Sequence, residues 1–156
     1  MTGEDAAAYA FRSATPADAG RVRALVHAAY GHYVERLGME PRPMLDHYDG
    51  VIARHRVTLA EAGSTVAGVV VLGIDDEGFL VDNVAVDPAH RGRGLGKRLL
   101  ELAESEARRA GFDSVYLYTH ERMTENLALY AHLGYAEYDR RCMGDFSLVY
   151  LRKPLT

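Results

Sequence analysis

Apolar residues recur along the first part of the chain with the spacing of a helix. Val22, Leu25, Val26, Ala29, Tyr33 and Leu37 fall on one face, so a helix is expected to run to about Gly38. Thr15-Pro16-Ala17-Asp18 opens it, with a hydroxyl at the N-cap, proline at the first helical position and an acid in the first turn. Tyr9 to Ser13 reads as a short strand ahead of it. Pro41 and Pro43 enforce a break, and a second, shorter helix fits Met44 to His55. From Arg56 the period changes. The runs 56–62 and 65–74 are β-rich and meet at Gly63-Ser64, which reads as a hairpin. A turn at Asp75 to Gly78 leads into a strand over Phe79 to Val86, which Pro88 ends. A long helix follows from about Gly94 to Ala110, with Leu95, Leu99, Leu102, Ala103 and Ala107 on one face and Gly111 as its stop. Ser114 to Thr119 is a further strand. Thr124 reads as the N-cap of a helix that carries Leu127, Tyr130 and Ala131 and stops at Gly134. Two last strands, about Ala136 to Met143 and Phe146 to Leu151, pair through Gly144-Asp145. The order β-α-α-β-β-β-α-β-α-β-β is that of a mixed α/β domain with a right-handed parallel crossover over the 94–110 helix.

At 156 residues, with 48% hydrophobic and 26% charged positions, the chain suits one globular domain over 1–156, with residues 1–8 as a loose tail. Folding at this length buries roughly 70% of the unfolded chain's surface, so no covalent staples are needed. A single cysteine, Cys142, excludes an internal disulfide framework and any multi-cysteine metal site. The seven histidines lack a ligand spacing such as H-E-x-x-H, so no metal is expected. No apolar run approaches the roughly 20 residues of a membrane span, and the acidic N-terminus does not read as a signal peptide. These features point to a cytoplasmic protein without a membrane partner. A net charge of −4 and a pI near 6.0 argue against nucleic acid as a partner, which usually needs a basic field.

One local exception to that acidity is the most informative stretch of the chain. After Val84-Ala85-Val86 and Pro88, Arg91-Gly92-Arg93-Gly94-Leu95-Gly96-Lys97 leads straight into a helix, and four Lys/Arg side chains lie between Ala89 and Arg98 with no acid among them. Glycines let a ligand approach the backbone, and a helix N-terminus adds oriented N–H donors and partial positive charge. Together they describe a cradle for an anion, a pyrophosphate above all. The plainer alternative is a tight strand-to-helix connection with solvated arginines. Two other nucleotide motifs fail on spacing. A Walker loop needs glycine where Arg91 stands and Ser/Thr at Arg98, and a dinucleotide fingerprint from Gly92 needs glycine at Lys97.

The R-x-x-G-x-G core of Arg91, Gly94 and Gly96 resembles motif A of the GNAT superfamily of acyl-CoA-dependent N-acetyltransferases. Some 40 residues on, Glu125 to Tyr135 (ENLALYAHLGY) is similar to its motif B. The resemblance covers about Ala10 to Pro154. It implies an α/β fold with a mixed, mostly antiparallel sheet of about seven strands, about four helices, and a parallel, splayed pair at the centre. It implies acetyl-CoA as cosubstrate, with Val84, Ala85 and Val86 along the pantetheine arm. The segment Arg91, Gly92, Arg93, Gly94, Leu95, Gly96 and Lys97 would lie at the pyrophosphate. The common form of motif B has an asparagine seven residues before its tyrosine. Met123 stands there, and Asn126 is the candidate replacement.

The resemblance also implies direct attack of an amine on the acetyl thioester in a ternary complex. Tyr130 matches the family's tyrosine and is the candidate general acid for the departing sulfur, being protonated at neutral pH. A backbone N–H near Val84 is the candidate donor to the carbonyl oxygen. Where some branches carry a basic glutamate on the central strand, Leu80 stands, so the candidate proton acceptors are Asp82, His120 and Glu121. Strict alternation places Asp82 on one face with Leu80, Val84 and Val86, unless a bulge re-aims it. The first two helices are expected to build the acceptor pocket from Tyr30, Tyr33, Asp46 and Tyr48. The reading is an N-acetyltransferase acting on a primary amine of a small molecule or peptide, with room for a homodimer. The alternative is a non-catalytic CoA-binding or sensory module.

Overall fold

The computed structural model describes residues 9–156, and the tail expected over 1–8 lies outside them. Among these residues seven strands form one sheet. They are β1 (Ala10–Ser13), β2 (Arg56–Ala62), β3 (Thr65–Asp75), β4 (Gly78–Val86), β5 (Ser114–His120), β6 (Ala136–Met143) and β7 (Phe146–Pro154). Their order is β1-β2-β3-β4-β5-β7-β6. Every neighbouring pair is antiparallel except β4 and β5 at the centre. The fold is α/β, with the mostly antiparallel sheet and central parallel pair expected.

Among the described residues six α-helices stand where about four were expected, because each of the first two is divided. The first is α1 (Ala19–Tyr30) followed by α2 (Tyr33–Leu37), after a 3-10 turn at Pro16–Asp18. At the junction a Cβ on Gly31 would lie 2.9 Å from the His27 carbonyl, and Val34 N–H bonds back to Gly31 at 3.2 Å in a tighter step. The second is α3 (Arg42–Leu45) and α4 (Tyr48–Arg54), parted where Asp46 turns extended. The later helices α5 (Leu95–Arg109) and α6 (Thr124–His132) are single. Met123, rather than Thr124, takes the N-cap position of α6. The start signal at Thr15 reads as a capping box, with Asp18 Oδ2 accepting from Thr15 N–H at 2.8 Å and from Oγ1 at 3.2 Å.

Helices cover the two faces separately. On one, α5 buries Leu95, Leu99, Leu100, Ala103 and Ala107 against Val70, Leu72, Val81, Val115 and Leu117. On the other, α1 to α4 bury Val22, Leu25, Val26 and Tyr48 against Leu59, Val69, Val71 and Ala85. Each fully buried Leu or Val contributes roughly 1.5–3 kcal/mol.

Two irregularities open the sheet at its centre. The pairing of β4 with β5 is confined to Phe79 with Val115 and Leu80 with Tyr116, after which the strands separate. Against β3, Val81 faces Leu72 but Asn83 faces Val71, so Asp82 is an extra residue in β4. This bulge corrects the alternation expected from sequence. Leu80 packs with Tyr116 and Tyr150, whereas Val84 and Val86 pack against the α5 core on the opposite face. One inserted residue shifts the side-chain phase of everything after it.

Candidate active site

Two cavities meet where β4 and β5 part. One, of about 410 Å³, runs over the open side of β4 to the glycine–arginine turn and the start of α5. The other, of about 280 Å³, lies between α3, the β4 bulge, the end of β5 and the β6–β7 turn. Tyr30, Val84, Asn126 and Tyr130 line both. Among the described residues, no three His, Cys, Asp or Glu side chains gather to hold a metal ion.

The larger cavity takes its character from the backbone. Gly92 and Gly94 sit at φ +79° and +76°, a left-handed conformation that glycine adopts without strain, and a Cβ at either position would enter open space. The first helical bond of α5 runs from Arg98 N–H to the Gly94 carbonyl at 3.1 Å. The amides of Leu95, Gly96 and Lys97 therefore precede the helical ladder. Asp87 N–H donates to the Ala67 carbonyl at 2.8 Å across to β3. By ladder alternation, the peptide groups of Val84 and Val86 face the open side of β4. Exposed backbone donors and cations along one wall fit the phosphates and amide arm of an acyl-CoA.

Of the residues expected at the cofactor, Val84, Ala85, Val86, Arg91, Gly92, Gly94, Leu95, Gly96, Lys97, Asn126 and Tyr130 all line this cavity, and Arg93 does not. Arg91 also turns Nη2 to the Ala29 carbonyl at the end of α1, at 2.8 Å. Arg98 leaves the turn altogether and lies over the Phe11 ring, 4.8 Å from its centroid. Ala29, His32, His90, Glu125 and Leu129 also line it without having been singled out there by sequence. They lie on separate elements whose approach to the turn no local pattern encodes.

Tyr130 is buried and its ring meets that of Tyr135 edge-on, with centroids 6.1 Å apart. Burial first, and then the neighbouring Tyr30, Tyr135 and Tyr33, push its phenol well above the ordinary tyrosine value. It holds its proton at neutral pH. Tyr135 donates to Glu104 Oε2 at 3.0 Å, and Lys153 Nζ meets the same carboxylate at 3.0 Å, tying motif B to α5 and β7. Met123, where the family's asparagine would stand, is buried and accepts from Thr119 Oγ1 at 3.0 Å. Asn126 lines both cavities from the next turn of the chain.

The three candidate proton acceptors are placed differently. Asp82 and His120 line the smaller cavity; Glu121 does not, and pairs with Arg140 at 3.5 Å. His120 Nδ1 accepts from Arg122 N–H at 3.1 Å, so its proton sits on Nε2 in the neutral ring. Burial lowers its pKa below the usual histidine value, Arg122 acting the same way and Glu121 against it. The neutral ring therefore carries its donor on Nε2. Asp82, held on the bulge, offers a carboxylate.

Of the four residues expected to build the acceptor pocket, only Tyr30 lines the smaller cavity. Tyr33, at the start of α2 beyond the break at Gly31, lines the larger cavity instead. Tyr48 is buried beneath the pocket, accepting from Asn83 Nδ2 at 3.3 Å and donating to the Pro43 carbonyl. Asp46 lies behind Arg42, accepting from its Nη1 at 2.7 Å. Burial raises the Asp46 carboxyl above its usual range, with Arg42 opposing and Asp82 adding to the rise. The tyrosine that does reach the cavity is tied to β4, its hydroxyl 2.8 Å from Asn83 Oδ1 and 3.1 Å from the Val84 carbonyl. Arg42, Asn83 and Tyr118 also stand at the site. Arg42 and Asn83 differ from their neighbours only as polar residues amid apolar ones, a signal too weak to single them out.

The chain matches the Acetyltransferase (GNAT) family over residues 22–135. It is 36% identical over 106 residues to an IAA acetyltransferase of Azospirillum brasilense, a match spanning 64% of this chain and 68% of that protein. A protein of the GNAT family from Desulfovibrio desulfuricans superposes with a TM-score of 0.78 at 18% identity, covering 96% of this chain and all of that one. The PaiA N-acetyltransferase of Thermoplasma acidophilum, solved in complex with coenzyme A, superposes with a TM-score of 0.75 at 16% identity over 94% and 98% of the two chains.

Proposed function

Because this chain belongs to the GNAT acetyltransferase family, we propose that it transfers the acetyl group of acetyl-CoA to a primary amine of a small molecule or peptide, by direct attack in a ternary complex. The observation that carries this reading is the meeting of the two cavities at the splay of β4 and β5, with Val84 and Tyr130 in their common wall. A donor entering from one side and an acceptor from the other would react there.

Acetyl-CoA supplies a thioester carbonyl carbon open to attack and a sulfur that leaves. The amides of Leu95, Gly96 and Lys97, with the Arg91 and Lys97 side chains, would hold its pyrophosphate. The Val84 and Val86 peptide groups would take its amide arm as an added strand takes a sheet edge. Tyr30, already bonded at the Val84 carbonyl, would position the reacting end rather than select the acceptor. Val84 N–H would donate to the thioester oxygen as its negative charge grows.

A primary amine has a pKa near 10.4 and arrives protonated. Asp82 takes one ammonium proton and passes it to solvent. As the N–C bond forms and the C–S bond breaks, Tyr130 gives its hydroxyl proton to the sulfur and regains one from the nitrogen. A cytoplasmic location, where the lone Cys142 would stay reduced, goes with this reading.

The test is a thermal-shift titration with CoA and acetyl-CoA, followed by thiol release against a panel of amines. Stabilisation by both with amine-dependent release is the expected result. Binding without release from any amine would favour a CoA-binding module.

A further inference from the structure

The smaller cavity has an uneven lining. Its charged groups are Arg42 and Asp82. Arg42 is shared, with Nη1 on Asp46 Oδ2 at 2.7 Å and Nη2 on the Asp82 carbonyl at 2.9 Å, 3.4 Å from Asp82 Oδ1. Two carboxylates around one guanidinium leave one negative charge in excess, and the carboxylate facing the cavity is Asp82. His120 adds a neutral donor to the polar side.

Tyr30, Asn83, Tyr118, Thr119, Asn126 and Tyr130 add neutral polar groups, and the remaining lining is carbon. Leu117 and Leu148 form the floor, Pro41 and Pro43 the side under α3, and Phe146 and Met143 the wall from the β6–β7 hairpin. Phe146 packs edge-on toward His120, with centroids 6.5 Å apart, and Met143 is 56% exposed at the rim. A second cationic centre on an acceptor would rest against these groups and lose its water without a partner. An apolar body would gain from the same burial, and a thioether at the rim adapts to its shape. At about 280 Å³ the space suits a compact molecule.

We propose that the acceptor is a small monocationic primary amine with an apolar or aromatic body, its ammonium at Asp82 and its body between Phe146 and Leu148. The inference rests on the acetyltransferase reading above and narrows its substrate class.

The experiment compares 2-phenylethylamine, hexylamine, ethylamine and spermidine, by thiol release with acetyl-CoA and by calorimetry on the CoA-bound protein. The expected result is a kcat/KM for 2-phenylethylamine and hexylamine at least tenfold above that for spermidine. Phe146→Ala, with Phe146→Leu as a milder companion, should raise KM for 2-phenylethylamine about tenfold. Both should leave ethylamine and acetyl-CoA within about twofold, which a general loss of structure would not do. Preference for spermidine, or equal losses for ethylamine and 2-phenylethylamine in Phe146→Ala, would overturn the inference. So would absence of 2-phenylethylamine binding to the CoA-bound protein. Binding of 2-phenylethylamine, weakened by Phe146→Ala but without turnover, would support the pocket's chemistry while refuting the acetyltransferase reading.

Discussion

Arg42 and Asp82, forty residues apart in the chain, meet at the β4 bulge, where the Arg42 guanidinium donates to the Asp82 carbonyl at 2.9 Å. The contact braces a residue that has no partner opposite it on β3. It also keeps the Asp82 carboxylate at the cavity wall, with its side chain 13% exposed. Asp82→Asn keeps the size and the brace but removes the charge. At pH 7 its kcat/KM for amines should fall roughly 100-fold, within the range of general-base contributions, with acetyl-CoA affinity unchanged by calorimetry. Undiminished turnover would move proton acceptance to another group.

Tyr130→Phe keeps the ring that packs on Tyr135 and removes one hydroxyl from the shared wall. Affinity for acetyl-CoA should barely change, while turnover falls by roughly 10- to 1,000-fold. Single-turnover kinetics decide the point. An equal chemical rate in the variant would leave Tyr130 a packing residue.

Gly94 initiates α5 in a left-handed conformation, φ +76°. A valine there would meet no protein atom within 4 Å, yet its backbone would be strained by about 1–2 kcal/mol and its branches would stand over the turn's amides. Gly94→Val should remain folded by circular dichroism and lose acetyl-CoA affinity by at least tenfold. Wild-type affinity in the folded variant would remove the turn from the binding site.

His120 connects pH to stability. Burial, aided by Arg122, depresses its pKa below the ordinary histidine value. As pH falls through about 6.5, the unfolded chain takes up a proton here before the folded one does. Stability from this group is therefore full above that value and lost below it. His120→Gln should shrink the drop in thermal midpoint between pH 7.5 and 5.5, and should keep most of the turnover at pH 7.5. An unchanged pH slope would deny the coupling.

The order of strands and helices was readable because each rests on residues close in sequence: hairpin turns at Gly63-Ser64 and Gly144-Asp145, the capping box at Thr15 and the stop at Gly111. The backbone geometry of the glycine–arginine turn was readable for the same reason. Two left-handed glycines, a helix start and adjacent cations occupy one short stretch, and their geometry follows from backbone sterics alone. What the chain order alone left open was phase and direction. The extra residue in β4 falls at Asp82 because of its register with β3, and it swaps the faces of every residue after it. After the helix break at Gly31, Tyr33 lines the larger cavity, and the break at Asp46 leaves that carboxylate behind Arg42. The smaller cavity is walled by residues from α3, β4, β5 and the β6–β7 hairpin. Contacts between segments that far apart depend on how both faces of the sheet fill with side chains, a condition on the whole chain that no local spacing records.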